Sequence, residues 1–186
     1  MGFIDATIDF DPGPGMNTLT ASQPAPGTYI VKHDSLGNFV WVKGFQGTFN
    51  DYFVGRDLAI DHAGNVVLIG NMKGTNVDVD PGPNVLTISS TLRTIGVLIK
   101  LDSNGDFLWE KHFQGDSPQL ENAQYYELQI DPENNLVLLG TFQDIVEFDF
   151  GPTVVERKVP TWSTSALFVQ KLDSLGNFIW VNTAYG

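Results

Sequence analysis

An eight-residue stretch occurs three times: Asp34 to Trp41 reads DSLGNFVW, Asp102 to Trp109 reads DSNGDFLW and Asp173 to Trp180 reads DSLGNFIW. A short polar residue opens each copy, a Gly able to take positive φ follows, and an aromatic and β-branched run leaves it. That is the chemistry of a tight reversal between two antiparallel strands. A turn of this kind at a fixed spacing demands a repeated β unit, and the rest of the chain falls into phase with it.

Two further series carry the same period. Asp9-Phe-Asp-Pro-Gly-Pro is answered by Asp78-Val-Asp-Pro-Gly-Pro and, more loosely, by Glu147-Phe-Asp-Phe-Gly-Pro, while Asp61-His-Ala-Gly-Asn-Val-Val-Leu-Ile-Gly70 returns as Asp131-Pro-Glu-Asn-Asn-Leu-Val-Leu-Leu-Gly140. The repeat is about 70 residues long, with single-residue slips that belong in loops. A single repeat domain over 1–186 then divides into an incomplete first repeat at 1–47, a complete second at 48–115 and a third at 116–186.

Within the second copy the pattern predicts strands over Asp57 to Asp61, Asn65 to Asn71, Val77 to Asp80, Ile95 to Leu101 and Asp106 to Phe113. Val85 to Ser89 either pairs with Val77 to Asp80 or runs along the surface. Asn134 replaces Gly64 in the later turn, as the other residue that tolerates the left-handed conformation. Lys32, Lys100 and Lys171 fall in one register, as do His33, Leu101 and Leu172, so His33 reads as a tolerated polar residue at a strand end.

Four or more antiparallel strands per period make a blade-like sheet that cannot bury both faces alone. Phe39, Trp41, Phe107, Trp109, Phe178 and Trp180 alternate with Val40, Leu108 and Ile179, so this strand is expected between neighbours on both faces. Trp41, Trp109 and Trp180 are each followed six residues later by Gly47, Gly115 and Gly186, and the first copy reads as lacking counterparts of Asp57 to Asn71. The fold class expected is all-β, with antiparallel blade repeats forming a partial β-propeller that assembles or packs with further blades.

Composition narrows the function. The 186 residues are 42% hydrophobic, enough for a core, and Lys and Arg number 10 against 22 Asp and Glu, a formal charge of −12. Such a surface lacks the main attraction for a phosphate backbone, so nucleic acid is excluded as a partner. Cysteine is absent, which removes disulfides, thiol nucleophiles and Cys-ligated zinc. No apolar run approaches the roughly 20 residues that cross a bilayer, so no membrane insertion is expected. Met-Gly-Phe-Ile-Asp is not a signal peptide, so an exported protein would hold this chain as a mature or excised segment.

The pattern resembles the bacterial beta-propeller repeat of the seven-bladed type. Asp61, Gly64, Asn65 and Gly70 match the first part of that repeat; Lys100, Asp102, Gly105 and Trp109 match the last. Asp78 to Pro83 looks like the acidic-proline insertion of its long versions, while Val67 and Val137 stand where the repeat has Tyr. The resemblance implies a segment of a secreted or cell-surface bacterial protein with scaffold, adhesion or recognition roles, and no catalytic residues.

The best chemical candidate is the set of paired acids: Asp9 and Asp11, Asp78 and Asp80, Glu147 and Asp149. A spacing of two sets both acids of a pair on one strand face, and adjacent hard oxygens suit calcium, but the acidic closer of a calcium loop is missing. A solvated acidic face ending in a proline stop is the preferred reading. The Asp34, Asp61, Asp102 and Asp173 turns are explained by side-chain bonds to backbone amides. His33, His62 and His112 sit in different phases of the repeat, and no hydrolase motif occurs. Tyr125, Tyr126 and Trp162 lie outside the turn motif, where aromatic platforms can bind sugars or peptides, although core packing or loop anchoring is the simpler role for each. The reading that results is a noncatalytic structural or interaction module, extracellular or at the cell surface, with protein partners through self-association or neighbouring blades. The alternative is a calcium-dependent carbohydrate- or peptide-binding module.

Overall fold

The computed structural model describes residues 1–21, 27–45, 51–114 and 122–186; Gly47 and Gly115 of the repeat-closing series lie outside them. All regular structure there is β. In chain order the strands are β1 (Gly2–Ile4), β2 (Thr7–Asp9), β3 (Thr18–Thr20), β4 (Gly27–His33), β5 (Phe39–Phe45), β6 (Tyr52–Ile60), β7 (Val66–Asp78) and β8 (Thr87–Leu101). They continue as β9 (Phe107–His112), β10 (Asn122–Ile130), β11 (Leu136–Gln143), β12 (Ile145–Glu147), β13 (Glu156–Lys158), β14 (Ala166–Leu172) and β15 (Phe178–Tyr185).

The second and third copies each form a four-stranded antiparallel meander, β6-β7-β8-β9 and β10-β11-β14-β15. The first forms a three-stranded sheet, β1-β4-β5. Here the structure differs from the sequence reading. Gly2 pairs with Tyr29 as Gly70 pairs with Val97 and Gly140 with Phe168, so Gly2–Ile4 is the end of the first blade's second strand.

Five Asp turns join the strands. The amides of Asp34, Asp61, Asp102, Asp131 and Asp173 each donate to the carbonyl four residues on, their carbonyls accept the amide three residues on, and each Oδ1 accepts the amides two and four residues later. Gly37, Gly64, Gly105 and Gly176 occupy the left-handed region at φ +81° to +84°, and Asn134 takes it at φ 65°.

The acidic-proline insertions are hairpin extensions between the second and third strands of each blade. β2 pairs with β3 and β12 with β13, while in the middle blade β7 and β8 themselves run on, pairing Val77 with Ile88 and Asp78 with Thr87. Val85 and Leu86 precede that pairing, and both are exposed.

One buried cluster runs through the blades, from Ile30 and Phe45 through Leu68, Ile69, Val97 and Ile99 to Phe148, Phe168 and Leu172. The strand expected between neighbours on both faces is instead the last of each sheet. Its Val40, Leu108 and Ile179 side stays 46%, 48% and 44% exposed, in the middle blade as in the other two, so this side of the strand is not covered by a neighbouring blade.

Candidate interaction surface

The two described blade-to-blade interfaces are built from the same repeat positions. The Asp-Ser-x-Gly turn of the following blade rests on a Lys and a Trp of the preceding one. Lys32 Nζ and Trp41 Nε1 both donate to the Ser103 carbonyl, at 2.7 and 3.1 Å, and Lys43 reaches Asp106 at 3.2 Å. One period on, Lys100 Nζ donates to the Ser174 carbonyl at 2.7 Å, and Gly176 lies over Trp109 and Lys111.

Lys100 has a second task. It lies 2.8 Å from Asp61 Oδ2 in the turn of its own blade, the two side chains being 5% and 2% exposed. Burial raises the Asp61 carboxyl, and hydrogen bonds from Lys100 and Asn65 outweigh it, leaving the pKa lowered to about 2. Lys171 pairs in the same way with Asp131 at 2.6 Å, in a more open setting, and its hydrogen bond is the main cause holding that carboxyl far below the usual range.

The next blade's first strand, the innermost of a propeller-type blade, packs across the sheet. Asn71 clamps Tyr125 through both backbone groups: Nδ2 donates to the Tyr125 carbonyl at 3.1 Å, and the Tyr125 amide donates to Oδ1 at 3.0 Å. Asp57 Oδ2 accepts the Leu128 amide at 2.9 Å. Phe45 packs on Phe53 with ring centroids 5.0 Å apart, and Phe113, in the equivalent place, packs on Tyr125 at 5.2 Å and Phe168 at 6.0 Å.

On the third blade the same face is open. Register places Leu167, Val169 and Lys171 where β8 has Gly96, Leu98 and Lys100, and Trp180, Asn182 and Ala184 follow Trp109, Lys111 and Phe113. Leu98 and Lys100 are buried, whereas Leu167 is 52% and Trp180 37% exposed. Beside them Thr141, Ser165, Ala166, Leu167, Ala184 and Tyr185 line a cleft of about 300 Å³. The face therefore combines exposed apolar side chains with a Lys and a Trp already placed to receive a turn.

The paired acids and the histidines singled out from sequence fall elsewhere. Asp9, Asp78 and Glu147 each accept two backbone amides across their hairpins at 2.7 to 3.1 Å, and Asp11, Asp80 and Asp149 each accept a glycine amide two residues on at 2.7 to 2.8 Å. The acids thus cap their own turns, and the Asn17 and Asp11 amides lower the Asp9 carboxyl. Among the described residues no three His, Asp or Glu side chains converge as metal ligands. His33 edges Phe39, the His62 amide donates to Asn134 Oδ1, and His112 bonds Glu110 at 2.9 Å, so they form no common site. Tyr125 is wholly buried, its hydroxyl donating to Gln170 Oε1 at 3.0 Å, and is no exposed platform. Tyr126 and Trp162 are exposed, Trp162 edge-on against Tyr185 at 6.3 Å.

No family model matches the chain. Its sequence is 24% identical over 188 residues to an uncharacterized WD repeat-containing protein of Acanthamoeba polyphaga mimivirus; the match covers 96% of this chain and 13% of that protein. The chain thus spans only a small part of the length of the curated relative it matches.

Proposed function

We propose that this chain is a noncatalytic protein-interaction module, a run of propeller-type blades that works by packing its outer sheet face against a further blade. One observation carries the reading: the third blade repeats the Lys and Trp of the internal sockets, as Lys171 and Trp180, yet presents them uncovered beside exposed Leu167. Similarity to a WD repeat-containing protein supports a repeat module of this kind. A secreted or cell-surface setting, and a bacterial seven-bladed type of repeat, belong to the same proposal and rest on the resemblance of the Asp61 and Asp102 motifs.

The test is the solution mass by light scattering across a concentration range, with EDTA and with added calcium. Uncovered, the face is expected to draw chains together reversibly in both conditions, and Leu167→Asp with Trp180→Asp is expected to return them to monomer. A chain that stays monomeric at every concentration contradicts the reading, and a mass that follows calcium supports the calcium-dependent alternative instead.

A further inference from the structure

This inference rests on the proposed packing of a further blade and names the kind of blade. At each described interface one position on the third strand meets one position on the next blade's innermost strand. Thr28 meets Gly55, whose amide donates to Thr28 Oγ1 at 3.0 Å, and a Cβ added to Gly55 would lie 2.8 Å from Thr28 Cγ2 and 2.5 Å from the flexible Met1 Sδ beside it. Gly96 meets Tyr125, and a Cβ added to Gly96 would lie 2.7 Å from the Tyr125 ring. Gly55 and Tyr125 are equivalent, since they pair with the glycines at one register position of the second strand, Gly70 and Gly140. Each meeting therefore holds one side chain and one glycine, and the glycine has changed sides between the two interfaces. Close packing leaves no room for two side chains there.

Leu167 occupies this position on the third blade, paired with Thr141 as Gly96 is with Asn71 and Thr28 with Phe3. The side chain is again on the third strand, as at Thr28. We propose that the open face of the third blade selects a blade of the same repeat that carries glycine at the Gly55 position and rejects one that carries a bulky residue there, as Tyr125 is. Ala184, in the place of Phe45 and Phe113, agrees with this, because it leaves a cleft beside Leu167 for an aromatic of the entering strand, as Phe53 is in the second blade.

The chain supplies both probes. Residues 48–115, a glycine-type blade, or residues 116–186, a tyrosine-type blade, are fused after Gly186, each on the natural third blade and on its Leu167→Gly variant. A single Val169→Cys substitution in that third blade reports docking by its rate of thiol labelling, cleanly because the chain has no other cysteine. The glycine-type fusion is expected to slow labelling by at least about tenfold on the natural blade, and the tyrosine-type fusion to do so only with Leu167→Gly. Equal protection by both fusions on the natural blade, or better protection by the tyrosine type, overturns the selectivity while leaving the packing reading intact. Protection by neither fusion on either background overturns both.

Discussion

Replacing Lys100 by Met removes the cation of a pair closed off from water. Lys100 Nζ sits 2.8 Å from Asp61 Oδ2, 2.7 Å from the Ser174 carbonyl and 5.8 Å from the Trp109 ring centre. Met keeps most of the stem, so the change strands the Asp61 carboxylate and the Ser174 carbonyl with little loss of packing. Breaking a buried pair in this way costs about 3–5 kcal/mol, a large share of the roughly 5–15 kcal/mol that holds a domain folded. Lys171→Met is the internal control, because Lys171 and Asp131 are 21% and 14% exposed and no following turn lies on them. Water can replace part of that ammonium, and a clearly smaller cost than that of Lys100→Met is expected. Urea unfolding midpoints at pH 7 give both numbers, and Asp61→Asn together with Lys100→Met is expected to recover part of the larger loss by removing the stranded charge. A Lys100→Met cost no greater than that of Lys171→Met refutes the argument that the inter-blade lysine is a buried, doubly employed group.

Other outcomes follow from the same contacts. Asn71→Leu leaves the Tyr125 amide and carbonyl buried without partners and is expected to lower stability by about 1–3 kcal/mol for each, read by urea unfolding. Gly96→Val presses on the Tyr125 ring and is expected to cost about 1–3 kcal/mol, and to cost less when introduced into a Tyr125→Gly background, so the two changes are expected to be less than additive. The Asp61 carboxyl is lowered in the folded state to about 2, so its stabilisation is complete above the unfolded carboxylate pKa of about 4 and is lost as pH falls from there through about 2. Unfolding midpoints measured from pH 5 to pH 2 should fall across that window, and less steeply in Asp61→Asn. Asp78→Asn keeps an oxygen for the Asp80 and Leu86 amides and is expected to be nearly neutral, whereas Asp78→Ala costs about 1 kcal/mol; a calcium-dependent melting shift abolished by Asp78→Asn would assign calcium to that hairpin.

Much of the architecture was legible because turn chemistry is local. The Asp-x-x-Gly motif specifies its own hydrogen bonds within five residues, and Asn134 in place of Gly64 shows the backbone requirement directly. The end of the first blade's second strand was missed, although Gly2 to Pro14 aligns without a gap to Gly140 to Pro152. The middle copy hides this alignment with one extra residue, in a stretch where Gly74 and Asn76 take positive φ and the β7–β8 ladder shifts register.

The interfaces were less visible. Lys32 and Lys100 share a register, but their acceptors on the next blade are the carbonyls of Ser103 and Ser174, a group that every residue carries. The Asn71 clamp on Tyr125 is hidden for the same reason, since it holds backbone and not a side chain. The apolar alternation at Val40, Leu108 and Ile179 misled because period alone does not tell a central strand from an outermost one. The open face was in principle legible by aligning copies, as Gly96 against Leu167 and Phe113 against Ala184. Those substitutions acquire meaning only once Tyr125 is known to cross that point.

The most direct test of the account compares thiol labelling at three equivalent positions, Ile30→Cys, Leu98→Cys and Val169→Cys. Ile30 and Leu98 are buried under the following blade, and Val169 lies on the open face. In dilute solution Val169→Cys is expected to react rapidly while the other two wait on unfolding, and its rate should fall as concentration rises and faces pair. Val169→Cys labelling as slowly as Leu98→Cys at the lowest concentration would contradict the claim that this face is open for a partner.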